Sequence, residues 1–109
     1  MVEPPAEVVS ALGVAAYPGA RMLKGFTAMR SEAGASVMID YVFFTPDPAT
    51  KVRDFYASKL TAARPGDPAM EKMGAYIVKG TNANGEPVTV QARTLGAKTN
   101  FHFVVTKKK

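Results

Sequence analysis

The chain predicts an α+β fold of order ββαβββ: an antiparallel sheet of about five strands with one main helix packed on one face. Three observations carry this. Residues 35–45, ASVMIDYVFFT, are dense in β-branched and aromatic side chains, as a strand requires. In residues 49–60, Ala49, Val52, Phe55, Tyr56 and Leu60 recur at the spacing of one helical face, with Lys51, Arg53, Asp54 and Lys59 largely opposite. Three further strand-like segments follow at 73–80, 87–94 and 100–106, the first two separated by the hairpin dipeptide Asn84–Gly85.

The remaining elements fall between these. AEVVSAL, residues 6–12, reads as a short helix stopped by Gly13. Pro18–Gly19 has the chemistry of a type II turn. Residues 21–30 read as the first strand and SEAG, 31–34, as the turn into the second. Asp47 is placed to cap the main helix, with Pro48 in its first turn, where a missing N–H costs nothing. TAARPGDPAMEK, 61–72, reads as a loop, and LGAKT, 95–99, joins the last two strands. The expected organisation is a lead-in at 1–12, one domain at 13–106 and a basic tail at 107–109.

The 109 residues suit a single domain with a core large enough to fold unaided. There is no cysteine, which excludes disulfides, thiol catalysis and iron–sulfur clusters. The net charge is +5, and Lys107, Lys108 and Lys109 supply three of those charges. That tail is expected to be a solvated, frayed end, with an anionic surface or nucleic acid as its alternative partner. Arg21, Lys24, Lys51, Arg64, Lys79 and Arg93 are spread along the chain, so no specific nucleic-acid site is signalled. No run approaches the ~20 apolar residues of a membrane span. Pro4 and Pro5 stiffen the start like a linker, and a removed leader or anchor is expected before Val2.

Strand alternation divides the sheet into two faces. Val37, Ile39, Tyr41 and Phe43 share one with Val88, Val90, Ala92, Phe101, Phe103 and Val105, which is core. The other is mixed: Met38, Asp40, Val42, Phe44, Gln91, Arg93, His102 and Val104. Its apolar part needs a cover, which the N-terminal segment, a second copy or a ligand could supply. These eight residues form the candidate partner or ligand face. Met22, Met29, Met38, Met70 and Met73 could add an adaptable apolar surface, with scattered core packing as the simpler expectation.

No catalytic constellation emerges. His102 is the only histidine; Asp40 can share its face, but no G-x-S-x-G elbow accompanies them. A metal at His102 and Asp40 would need further carboxylate ligands. Neither G-x-x-x-x-G-K-[ST] nor G-x-G-x-x-G occurs, so no nucleotide cradle is expected, and no cofactor.

Two resemblances attach to these residues. Tyr17 to Ala20, then Thr45, Asp47, Pro48, Lys51, Val52, Phe55, Tyr56 and Leu60 resemble a motif of small bacterial domains of uncharacterised function, often found behind a signal or lipoprotein leader. That resemblance spans about residues 12–106 and implies a fold and an extracytoplasmic setting, but no reaction. Together with the apolar surface of the mixed face, the expected role is a non-enzymatic binding module of an envelope or secreted protein, partnered by itself as a homodimer or by an envelope protein. IDYVFFTPDPATKVRDFYASKL, 39–60, resembles the opening strand and helix of a glyoxalase-like βαβββ module. Tyr41 stands where that family has its histidine ligand, and FHFVVTKKK contains no acid. This second resemblance implies a metal-free, degenerate module that pairs with itself around a small-molecule cup lined by Tyr41 and Phe43.

Overall fold

A computed structural model describes residues 1–25 and 28–109. Its elements are α1 (Ala6–Leu12), β1 (Met29–Ala33), β2 (Ser36–Thr45), α2 (Ala49–Lys59), β3 (Thr61–Pro65), α3 (Pro68–Lys72), β4 (Ala75–Thr81), β5 (Pro87–Leu95) and β6 (Lys98–Lys108). The six strands form one antiparallel sheet in the order β1-β2-β6-β5-β4-β3. The expected α+β architecture is therefore present, with one strand more than anticipated. A Cα radius of gyration of 13.2 Å agrees with the ~13 Å of a domain this long.

The inner face carries the core. Val37, Tyr41 and Phe43 of β2, Val88, Val90 and Ala92 of β5, and Phe101, Phe103 and Val105 of β6 are all buried there. The strands alternate because successive side chains point to opposite faces. Helix α2 lays Val52 and Tyr56, both fully buried, on the β3–β6 half of that face. The N-terminal segment joins the same core through Val8, Leu12, Tyr17, Ala20 and Met22. Val8 and Leu12 are four apart and so lie on one side of α1.

Local chemistry explains the boundaries. Helix α1 ends at Gly13 in the left-handed region (φ 69°), and a Cβ there would sit 2.4 Å from the Asn82 amide nitrogen. Glycine is thus needed for both backbone and space. The Pro18–Gly19 turn closes as expected: the Ala20 N–H donates to the Tyr17 carbonyl at 3.1 Å, with Gly19 at φ 77°. In the β4–β5 turn, the Asn82 side-chain oxygen accepts from the Asn84 and Glu86 N–H groups, both at 3.0 Å. Its amide donates to the Leu12 carbonyl at 3.0 Å, tying α1 to this turn.

Four expectations are corrected. Residues 61–72 are not a plain loop but hold β3 and α3; β3 is an edge strand with a bulge between Thr61 and Arg64, where Ala62 has φ 53°. The first strand is β1, Met29–Ala33, so Ser31 to Ala33 belong to it and the turn is Gly34–Ala35. Of the predicted 21–30 strand, Arg21 and Met22 form only isolated bridges, to Phe44 and Val2, and residues 26 and 27 lie outside the described residues. Asp47 does not cap α2: Pro48 is the N-cap and no side chain serves it.

The last correction concerns the tail. Lys107 and Lys108 are the end of β6, paired with Val37 and Ser36 of β2. Lys107 also bonds Glu86 at 2.9 Å, and the Lys109 N–H donates to the Ala35 carbonyl. A neighbouring strand with free ladder groups holds this segment in place, so it is not a frayed basic end.

Candidate functional site

All eight residues singled out from the sequence share the outer face of the sheet. The register sets them in rows across β2, β6 and β5: Val42 opposite His102 opposite Gln91, Asp40 opposite Val104, and Phe44 opposite Asn100 opposite Arg93. Met38 stands beside Thr106, one row beyond Asp40. Asp40, Val42, Phe44, Gln91, His102 and Val104 are half-buried, Met38 is 42 % exposed, and Arg93 is exposed. Met29 on β1, opposite Asp40, adds a further apolar side chain at 52 % exposure.

Helices α1 and α2 both pack on the inner face, which leaves the outer face without a helical cover among the described residues. An antiparallel sheet tolerates one wet face, but that face is normally polar. Here Met29, Met38, Val42, Phe44, Ile77 and Val104 make much of it apolar.

Polar chemistry at its centre is limited. His102 Nδ1 lies 3.0 Å from each carboxylate oxygen of Asp40, a diagonal pair between β2 and β6. Such a contact orients the imidazole. Among the described residues, no group of three or more His, Cys, Asp or Glu side chains is arranged to hold a metal ion.

Sequence reasoning missed the charge on this face. Arg64 pairs with Lys79, which sits opposite Thr89, and Thr89 lies opposite Val104; all four positions are on the outer face. Lys98 and Lys108 are there too, by the β6 alternation. With Arg93 this makes five exposed Lys/Arg side chains on the strands of this face against one carboxylate, Asp40, while Arg21, bridged to Phe44 at its edge, carries its own counterion in Glu3. The rest of the chain holds nine Lys/Arg against eight Asp/Glu, so four of the five net positive charges lie on the outer face. Among the described residues, none of these five cations makes a salt bridge; of the other nine, Arg21, Arg53, Lys107 and Lys109 do, and Lys24, Arg30, Lys51, Lys59 and Lys72 do not. Strand phase alone would have placed Lys79 on the same side as Arg93; Arg64 was hidden because its strand was not recognised.

The motif of the first resemblance also converges, at the opposite side of the sheet. Tyr17 donates its hydroxyl to Asp47 at 2.5 Å, and its N–H donates to the Tyr56 hydroxyl at 3.0 Å. Thr45 Oγ1 accepts from the Asp47 N–H at 3.2 Å, and Thr99 Oγ1 donates to the Asp47 carbonyl at 2.5 Å. The Tyr17 ring meets Phe55 edge-on at 5.2 Å. Burial, then the Asp47 hydrogen bond and charge, push the Tyr17 hydroxyl well above the ordinary tyrosine range. Burial does the same to Tyr56, partly offset by the bond from the Tyr17 N–H. The hydrogen bonds of Tyr17 to Asp47 and Tyr56 form a latch, which fastens the N-terminal segment to α2 and the residues just before it. The glyoxalase-like cup has no room on this side: Tyr41 and Phe43 are 6 % and 1 % exposed, enclosed by the chain's own core.

No protein-family model, curated protein or solved structure matches the chain. None of its described helices is long and apolar enough to cross a membrane.

Proposed function

We propose that the chain is a non-enzymatic interaction domain of a bacterial extracytoplasmic protein, and that the outer face of its sheet receives the partner. The observation that carries this is the unequal use of the two faces. Helices α1 and α2 pack on one side, while the other presents half-buried Val42, Phe44 and Val104 with exposed Met29 and Met38. A contiguous apolar face with a polar surround is the usual anatomy of an interaction surface. The extracytoplasmic setting rests on the motif resemblance, whose residues form the Tyr17–Asp47–Tyr56 latch.

Among the described residues, the Asp40–His102 pair has no hydroxyl nucleophile hydrogen-bonded to its imidazole. A general base needs a nucleophile or a substrate proton within hydrogen-bond reach. The hydrogen bonds made by the His102 ring go to Asp40 alone among the described residues. Within the face, the pair serves to satisfy two polar groups between apolar neighbours.

The test is site-specific photo-crosslinking of the full chain in a bacterial envelope. A photoreactive side chain at Val42 should give a discrete adduct, and the same group at Lys59 on α2 should not. Equal crosslinking from both positions, or none from Val42, would overturn the assignment of the face.

A further inference from the structure

We infer that the partner of this face is an acidic protein surface bearing apolar side chains, rather than a second copy of the chain; this rests on the interaction reading above. Charge complementarity carries it. The strands of the outer face hold five exposed cations that make no salt bridge among the described residues, and one carboxylate, which is already engaged by His102.

Their placement matters as much as their number. Lys98 and Arg93 stand toward the β5–β6 turn, Lys108 at the far end of β6, and Arg64 and Lys79 along the β3–β4 side. The centre they surround is Val42, Val104, His102 and Gln91. That centre mixes apolar and polar side chains, as a protein interface tolerates, and a charged rim of this kind selects the partner. At one corner a groove of about 310 Å³ is lined by Met1, Phe44, Thr45 and Pro46, with Lys98 beside it and Arg21 already bridged to Glu3. It offers a seat for one apolar side chain of an acidic segment.

The alternatives fit less well. Two copies laid face to face would bring ten cations against two carboxylates, and like charges across an interface cost affinity. Single-stranded nucleic acid needs stacking platforms, but Phe44 is the sole aromatic among the described outer-face residues. A lipid surface would have to accept Asp40 and Gln91 in the middle of the contact.

The experiment is amide-resolved NMR titration of the labelled chain with three probes. These are a synthetic peptide alternating Glu with Val and Leu, a thymidine oligonucleotide, and phosphatidylglycerol vesicles. The peptide should shift outer-face amides of β2, β6 and β5, and less so as salt is raised. The double variant Lys79→Glu/Arg93→Glu should weaken it by roughly tenfold or more. Lys51→Glu/Lys72→Glu, the same charge change on the helical side, should leave it nearly unaltered. Equal weakening by both variants, or sedimentation showing a dimer through this face, overturns the inference. Oligonucleotide or vesicle binding at the face without peptide binding overturns the partner's chemistry but leaves the face. If no probe binds, the acidic partner is rejected, and the Val42 crosslink alone decides whether the interaction reading falls with it.

Discussion

The two faces of this sheet are made from the same strands yet do different things. Along β6, Phe101, Phe103 and Val105 are fully buried, while His102, Val104 and Thr106 between them are half-exposed. The inner face is closed by two helices and the Tyr17 segment, and its polar atoms are all partnered, since among the described residues no buried side-chain N or O lacks a hydrogen bond. The outer face, among the described residues, has apolar side chains without a helical cover and cations on its strands without counterions. Stability is concentrated on one side, and the groups free to meet another molecule are on the other.

The largest expected effect lies at the inner centre. Phe101 stacks on Phe43 at 5.1 Å and meets Tyr17 at 5.9 Å and Tyr56 at 6.2 Å. Phe101→Ala removes a ring that joins both covering elements to the sheet and should cost about 3–5 kcal/mol in denaturant unfolding. A loss below about 1 kcal/mol would mean that the inner face is not what holds the fold.

The latch comes next. Asp47→Ala leaves the buried Tyr17 hydroxyl without its acceptor and should cost about 1–3 kcal/mol. In a Tyr17→Phe background the same substitution should cost less, because the orphaned donor is gone. If Asp47 acted as a helix cap, its cost would be unchanged by Tyr17→Phe.

A smaller effect depends on pH. Burial alone would raise the Glu86 carboxyl, but hydrogen bonds from Asn82 and Lys107, with the Lys107 charge, outweigh it and hold its pKa below 4.5. A carboxyl lowered in the folded state contributes stability that is full above its unfolded value and lost as pH falls through its folded value. Unfolding followed from pH 7 to pH 3 should therefore show a shallower acid-side loss in Glu86→Gln than in the parent. Parallel curves would contradict the assignment.

Much of this architecture is legible in the sequence because it is set locally. The spacing of Ala49, Val52, Phe55 and Tyr56 specifies α2, Gly13 specifies the end of α1, and alternation in β2, β5 and β6 assigns their faces correctly. What was not legible depends on long-range pairing. Strand β3, TAARP, is two alanines, a threonine, an arginine and a proline; it is a strand because β4 offers it an edge, not through propensity. Strand β1 is exposed along its whole length, so it has no apolar alternation to detect. The partner of Asp47 is 30 residues away, and a Pro-flanked aspartate before a helix looks like a cap until Tyr17 is seen against it.

The candidate face was readable in part for the same reason. Its eight predicted residues follow from strand phase alone. Its charge does not: Arg64, Lys79, Lys98 and Lys108 are scattered in the chain and gathered only by register, one of them on a strand the sequence conceals.

The division of labour between the faces is tested most directly by two neighbours on β6, Val104 and Val105. Each is replaced by threonine, which keeps the shape and adds one hydroxyl, and both variants are unfolded in denaturant beside the parent. Val105→Thr buries that hydroxyl in the core and should cost about 1–3 kcal/mol. Val104→Thr places it on the open face and should stay within about 0.5 kcal/mol of the parent. Equal losses would contradict the account, because the outer face would then be covered and part of what holds the fold.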